Sequence, residues 1–338
     1  MTDGGEPAGA PRVVALGGGH GLATSLAALR TVTTAVTAVV TVADDGGSSG
    51  RLRAELGVLP PGDLRMALAA LTSDGPDGEL CAAVLQHRFG GDGALAGHPV
   101  GNLLLAGLIE VLGNPVAALD ALGRLLGVQG RVLPVSCESM DIVADVVGVH
   151  PGNPYRISHV HGQVAVATTT GQVVAVRPIP PRPTACPEAV AAIAGADFVV
   201  LGPGSWFSSV LPHLLVPDIL AALAATKAHR ILVLNLAPQV GETSGFTPET
   251  HLEVLAAHAP GLTIDIVLAD PATVTDVPAL GTAAADLGAR LVLTSVGVPD
   301  GSPRHDVHLL AAAYRRVFAE QVRDGRRPEP VNVSEGAE

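Results

Sequence analysis

Arg12-Val13-Val14-Ala15-Leu16-Gly17-Gly18-Gly19-His20-Gly21-Leu22 is the stretch on which the fold of this chain turns. A short β-branched run ends in glycines, and Leu22 to Leu29 follows with apolar residues at helical spacing, which predicts a buried strand, a tight turn and a helix. Val36 to Val42 repeats the buried-strand texture and runs into Ala43-Asp44-Asp45-Gly46-Gly47-Ser48-Ser49-Gly50, predicted as a long polar loop before a helix starting near Arg51. Further helices are predicted over 63–71, 100–112 and 115–126, the last with a proline in its first turn. Arg131 to Pro178 changes to alternating patterns, with Thr168-Thr169-Thr170-Gly171-Gln172 as a hairpin turn, so an antiparallel element is expected to be inserted at about 131–178. Five prolines between Pro178 and Pro187 predict a rigid connector. Strand candidates then recur at 197–201, 230–236, 264–269 and 290–294, separated by helices.

The alternation predicts a Rossmann-like, doubly wound, mainly parallel α/β sheet in one domain over 12–322. A Gly/Ala/Pro-rich tail at 1–11 and a loose tail at 323–338 are expected to flank it. With 338 residues, 48% of them hydrophobic and 15% charged, wholesale disorder is excluded. A net charge of −12 lacks the basic footprint of nucleic-acid or membrane-surface binding. No uninterrupted apolar stretch reaches bilayer length, and no basic leader precedes an apolar run, so a soluble, cytoplasmic chain is expected. Lysine occurs once, as Lys227, so a phosphate-loop lysine, a Schiff base or a lysine general base would have to use that residue. Its position before the run Ile231 to Leu234 suits a helix C-terminus better. Cys81, Cys137 and Cys186 are far apart in sequence, without metal or redox spacing, and read as reduced thiols.

Ligands of open α/β sheets bind beyond the carboxyl ends of the strands, and four polar or glycine-rich loops fall there. Gly17, Gly18, Gly19, His20 and Gly21 let backbone approach an anion at a helix N-terminus, or simply make a tight turn. Leu22 stands where the dinucleotide fingerprint requires a third glycine, so neither NAD nor flavin is expected as a bound cofactor. Asp44 and Asp45, if ~5 Å apart at an effective dielectric of ~20, would repel by roughly 3 kcal/mol. With Asp63 they could offer hard oxygens to Mg²⁺ on a diphosphate; the alternative is turn hydrogen bonding and an N-cap. Gly46-Gly47-Ser48-Ser49-Gly50 matches a hydrolase elbow literally, but two flanking carboxylates would oppose an oxyanion. Ser48 and Ser49 are better placed to donate to a phosphate or to cap the next helix. Gly202, Gly204 and Ser205 form a third loop, and Asn235 to Gly245, with Thr243, a fourth. His159 and His161 share one face of a strand and read as a solvated or hydrogen-bonded pair, while Asp306 suits a helix cap.

Taken together, Gly17 to Leu22, Val42 to Arg53, Pro60-Pro61-Gly62-Asp63-Leu64-Arg65, Gly101-Asn102-Leu103, Leu201 to Ser205, Gly241-Glu242-Thr243 and Arg304-His305-Asp306 resemble the YvcK (UPF0052) family of gluconeogenesis factors, within the CofD-like superfamily. The resemblance implies a CofD-like fold and binding of a nucleotide sugar, notably UDP-N-acetylglucosamine, by a regulator of cell shape and envelope homeostasis during gluconeogenic growth. It implies backbone contacts from Gly18 to Gly21 and from Gly204 and Ser205 to the diphosphate. Asn102, Asn235 and Thr243 would orient sugar or base, Arg304 would approach from the C-terminal side, and acids matching Asp45 and Asp63 would hold Mg²⁺. The competing expectation is a metal-dependent transferase of the 2-phospho-L-lactate type, acting on a nucleotide-diphosphate-linked donor. A scaffold with a vestigial pocket is a third. A protein partner in cell-wall precursor synthesis and self-association are left open as candidates.

Overall fold

The computed structural model describes residues 10–239 and 242–324. In chain order the elements are β1 (Val13–Gly17), α1 (Gly19–Leu29), β2 (Val36–Val40), α2 (Gly47–Leu56), α3 (Pro61–Ala70), α4 (Pro76–Gln86), α5 (Val100–Leu112), α6 (Pro115–Leu125) and β3 (Arg131–Pro134). Next come β4 (Asp141–Val147), β5 (Ser158–His161), α7 (Gln163–Ala167), β6 (Gln172–Ile179), α8 (Pro187–Ala194) and β7 (Phe198–Leu201). A π-helical turn (Trp206–Val210) leads into α9 (Leu211–Leu214), α10 (Pro217–Ala225), β8 (His229–Val233), α11 (Pro248–His258), β9 (Ile266–Ala269), α12 (Val277–Asp286), β10 (Arg290–Leu293) and α13 (Val307–Asp324).

Seven parallel strands form the main sheet in the order β10-β9-β8-β7-β1-β2-β3. The order reverses between β1 and β7, and a crevice opens beyond the strand ends at such a reversal. Both strands are buried along their length, as their unbroken Val/Leu/Ala/Phe runs require of a sheet covered on two faces. On one face α1 packs against α13, where Tyr314 Oη and Ser25 Oγ lie 2.8 Å apart and Phe318 stacks on Phe198 at 4.0 Å. Satisfying the Tyr314 hydroxyl inside the core avoids the cost of an unpaired buried polar group.

Several boundaries differ from the pattern reading. β3 pairs in parallel with β2, so the first strand of the 131–178 stretch belongs to the main sheet, and the inserted sheet is β5-β4-β6, starting at Asp141. Of its strands only β5 alternates in exposure, β4 being buried from Ile142 to Ala144, and β3 is too short to show a period. Thr168 to Gln172 joins α7 to β6 rather than two paired strands, since β5 and β6 both flank β4. The loop after β2 is shorter than expected, because α2 already starts at Gly47 and puts Ser48 and Ser49 in its first turn. Pro178 still pairs with Ile142, so the sheet extends into the connector. Helix α13 continues through Arg323 and Asp324, the first residues of the expected loose tail; the rest of that tail, and residues 1–9 of the N-terminal one, lie outside the described residues.

Candidate functional site

The glycine turns after β1 and β7 meet at the strand-order reversal. A methyl group placed on Gly21 would lie 2.3 Å from the carbonyl oxygen of Pro203 and 2.7 Å from Gly204 Cα, so backbone passes directly over backbone there. Gly18, the N-cap of α1, has no side-chain cap, and a methyl on it would lie 2.4 Å from Asp63 Oδ2 and 2.6 Å from Thr41 Cγ2. Gly19, at φ +58°, takes the left-handed conformation that glycine adopts without penalty, and no atom would crowd an added Cβ. His20 is exposed on the same turn, and Gly17 accepts the Thr41 N–H at 3.0 Å. The positive end of α1 is thereby aimed at an acid.

That acid is Asp63, in the first turn of α3 behind Pro61. Burial, followed by the neighbouring Asp44 carboxylate, pushes its carboxyl up to about 7, while a hydrogen bond from the Gly19 N–H and the Arg65 charge pull in the other direction. Asp44 lies against the same turn: Oδ2 would be 2.6 Å from a methyl on Gly62, and Oδ1 accepts the Gly46 N–H at 2.9 Å and Gln163 Nε2 at 3.2 Å. Asp45 faces elsewhere. Its Oδ1 accepts the Val164 N–H at 3.0 Å, and the carboxylate fills the space over Gly162 at the start of α7. The acid coupled to Asp63 is therefore Asp44, not the Asp45 expected from the family pattern.

Behind the acids runs a buried polar chain. Ser49 Oγ accepts the Gly62 N–H at 3.0 Å, fixing α2 to α3. Ser48 Oγ lies 2.7 Å from His98 Nδ1 and accepts Asn102 Nδ2 at 3.0 Å, and Asn102 Oδ1 in turn accepts Arg65 Nε at 2.9 Å. Burial, with the Arg51 charge, lowers the His98 pKa. Burial and Arg88 lower Arg65 to about 10, which leaves it charged at neutral pH. Arg65 makes no ion pair among the described residues, and its stem packs on Gly101 at the N-terminus of α5. A buried cation beside a positive helix end favours an anion nearby.

The turn after β7 is largely committed to its own structure. Asn235 clasps Gly204 from both sides, accepting its N–H at 3.0 Å and donating to its carbonyl at 2.8 Å. Ser205 Oγ donates to Glu242 at 2.6 Å and also contacts Ser208 Oγ. Glu242 accepts the N–H groups of Phe207 and Ser208 at 2.8 and 2.9 Å, so a carboxylate of this chain occupies the helix start after Ser205. Burial raises its pKa, against the hydrogen bonds that favour its charge. Thr243 is buried, and its Oγ1 accepts the Gln239 N–H at 2.8 Å. Gly202, at φ +72°, donates to Leu16 at 3.1 Å and joins the turn to β1. Arg304 is 70% exposed and paired with Asp300 at 3.1 Å.

The structure thus gathers Gly18 to Gly21, Asp44, Asp63 and, one layer behind, Ser48, Ser49 and Asn102. It turns Asp45 to the start of α7, spends Asn235, Ser205 and Thr243 on internal bonds and pairs Arg304 with Asp300. Arg65 and Glu242 were visible within the family motifs but not as site residues; His98 and Thr41 gave no local signal. On the inserted sheet His159 Nδ1 lies 2.7 Å from Asp145 Oδ1, which also accepts Arg177 at 2.6 Å. A cavity of about 420 Å³ opens beside Asp45, lined by Arg53, Asp141, His161 and Gly162. Among the described residues no three His, Cys, Asp or Glu side chains gather as a metal cage. Asp44 and Asp63 supply two hard oxygens, a set that suits Mg²⁺ when phosphate oxygens and water complete its shell.

A family model described as "2-phospho-L-lactate transferase CofD" matches residues 13–285. A Mycobacterium tuberculosis protein described as "Putative gluconeogenesis factor" is 56% identical over 99% of this chain and 95% of its own length. A Halalkalibacterium halodurans protein described as "Gluconeogenesis factor" is 38% identical over 78% of this chain and 79% of its own length. A crystal structure of a UPF0052-family protein from Bacillus halodurans aligns with a TM-score of 0.80 at 33% identity, covering 91% of this chain and 99% of that one. The chain belongs to the CofD-like superfamily, in its gluconeogenesis-factor (YvcK, UPF0052) branch.

Proposed function

We propose that this protein is a cytoplasmic nucleotide-sugar-binding regulator, with UDP-N-acetylglucosamine as the ligand and cell-shape and envelope control under gluconeogenic growth as its setting. The observation that carries the binding claim is the glycine turn at the start of α1, where Gly18 offers no side-chain cap, Asp63 takes the Gly19 N–H, and the Gly202–Ser205 turn passes directly over Gly21. A diphosphate there would meet backbone N–H groups and the positive helix end, and Arg65 would add a nearby charge. Asp44 and Asp63 would hold Mg²⁺, which would neutralise phosphate charge beside the two acids. Asn235 and Glu242 act as positioning residues that fix the opposite wall. The family resemblance, not the geometry, supports the uridine base and the sugar.

Calorimetric titration with UDP-N-acetylglucosamine, with and without Mg²⁺, tests this reading. Saturable binding is expected, tighter with Mg²⁺; no saturation in either condition overturns it.

A second reading, a metal-dependent transferase, is favoured by one observation: an acid near a helix start whose carboxyl sits at about 7. It requires consumption of a nucleotide-diphosphate-linked donor in the presence of an acceptor, which a regulator leaves intact. Chromatographic quantification of the donor separates the two.

A further inference from the structure

We propose that Cys137 and Cys186 are a modification site, a thiol pair that a hydroperoxide converts to a disulfide across the base of the inserted sheet. Cys137 lies on the segment by which the chain leaves β3 for β4, and Cys186 ends the segment by which it returns from β6 to α8. One backbone bond holds these segments side by side, the Cys186 N–H donating to Val135 at 3.0 Å, and a second, from the Val135 N–H to Val40 at 2.7 Å, anchors them to the main sheet. The two thiols are close enough to shift each other's protonation, and Cys186 Sγ donates to Glu188 Oε2 at 3.2 Å. Cys137 is exposed and Cys186 buried, the arrangement of an attacking thiol with a resolving partner behind it.

The electrostatics agree with that division. The neighbouring Cys186 thiol holds the Cys137 thiol below the usual range, against burial and the Glu188 and Glu138 carboxylates. The same contact and burial push Cys186 well above it. The Arg131 guanidinium, paired with Asp120, is the cation facing Cys186 and Glu188 from β3.

In the first step the Cys137 thiolate attacks a peroxide oxygen; an S–O bond forms, the O–O bond breaks, and the leaving alkoxide or hydroxide takes a proton from water. In the second, Cys186 passes its proton to Glu188 while its sulfur attacks Cys137; the S–S bond forms, and the departing hydroxide leaves as water with the proton from Glu188. Two thiols lose two electrons, and one peroxide bond gains them. The bridge would pin both tethers of β4, β5 and β6, and with them the start of α7 that rests on Asp45. The inference does not depend on the ligand proposed above.

The test treats the full chain with equimolar hydrogen peroxide at neutral pH, alkylates the remaining thiols and maps the peptides. One intramolecular 137–186 link is expected, with Cys81 alkylated and full reversal by dithiothreitol. Cys186→Ser should stop at a Cys137 sulfenic acid that dimedone traps. Cys137→Ser, an exposed and conservative change, should leave Cys186 unoxidised. A link to Cys81, an interchain link, or Cys137 sulfinic acid without a link in the unmodified protein overturns the proposal.

Discussion

Replacing Asp63 by asparagine tests whether the acid is held in the fold at a cost. Its carboxyl is raised from 3.8 to about 7 by burial and by Asp44, so the folded state holds a proton that the unfolded chain has released over that interval. The sign follows directly: stability from the protonated carboxyl is complete below pH 4 and declines as pH rises toward 7, then levels off. Each tenfold gain in proton affinity is worth ~1.4 kcal/mol, so the loss across that interval amounts to roughly 4 kcal/mol. Asparagine keeps the shape and can still accept the Gly19 N–H, but carries no charge. Urea denaturation of both proteins at pH 4 and pH 8 gives the double difference, in which the other titrating groups cancel. Asp63→Asn should match the parent at pH 4 and exceed it by up to about 4 kcal/mol at pH 8. Equal pH slopes, or a variant less stable at pH 8, would refute the reasoning. A gain in stability at a position that weakens the Mg²⁺ dependence of ligand binding is what a charge retained for function should show.

Gly21→Ala places a methyl 2.3 Å from the Pro203 carbonyl oxygen, and since backbone cannot yield cheaply the expected cost is about 1–3 kcal/mol by denaturation, with weaker UDP-N-acetylglucosamine binding by calorimetry. Gly281→Ala in α12, where nothing lies within 4 Å, should instead stabilise by about 0.5–1 kcal/mol. Asn235→Ala removes both clasps on Gly204 and should cost about 1–3 kcal/mol while speeding hydrogen exchange of the Gly204 amide; unchanged exchange would count against its positioning role.

The strand–turn–helix at Val13 to Leu29, the polar segment after β2 and the later parallel strands were readable from residue order, because hydrophobic period and turn chemistry are local properties. Reading failed where a choice depended on distant chain. β3 looked like the start of the inserted sheet until its pairing with β2 was known. Asp44 and Asp45 are indistinguishable by type, yet side chains of successive extended residues point to opposite sides, so one reaches Asp63 and the other the start of α7.

By itself, the order of residues determined an α/β protein with glycine-rich turns at the ends of buried strands. Tertiary structure alone decided which donors of those turns are taken by remote side chains, as Asp63 takes the Gly19 N–H. The strand order reverses between β1 and β7, bringing Gly21 over Pro203, and Glu242 folds back to take the N–H groups after Ser205. A backbone donor can serve a ligand only if no side chain has claimed it, and that claim comes from residues remote in sequence.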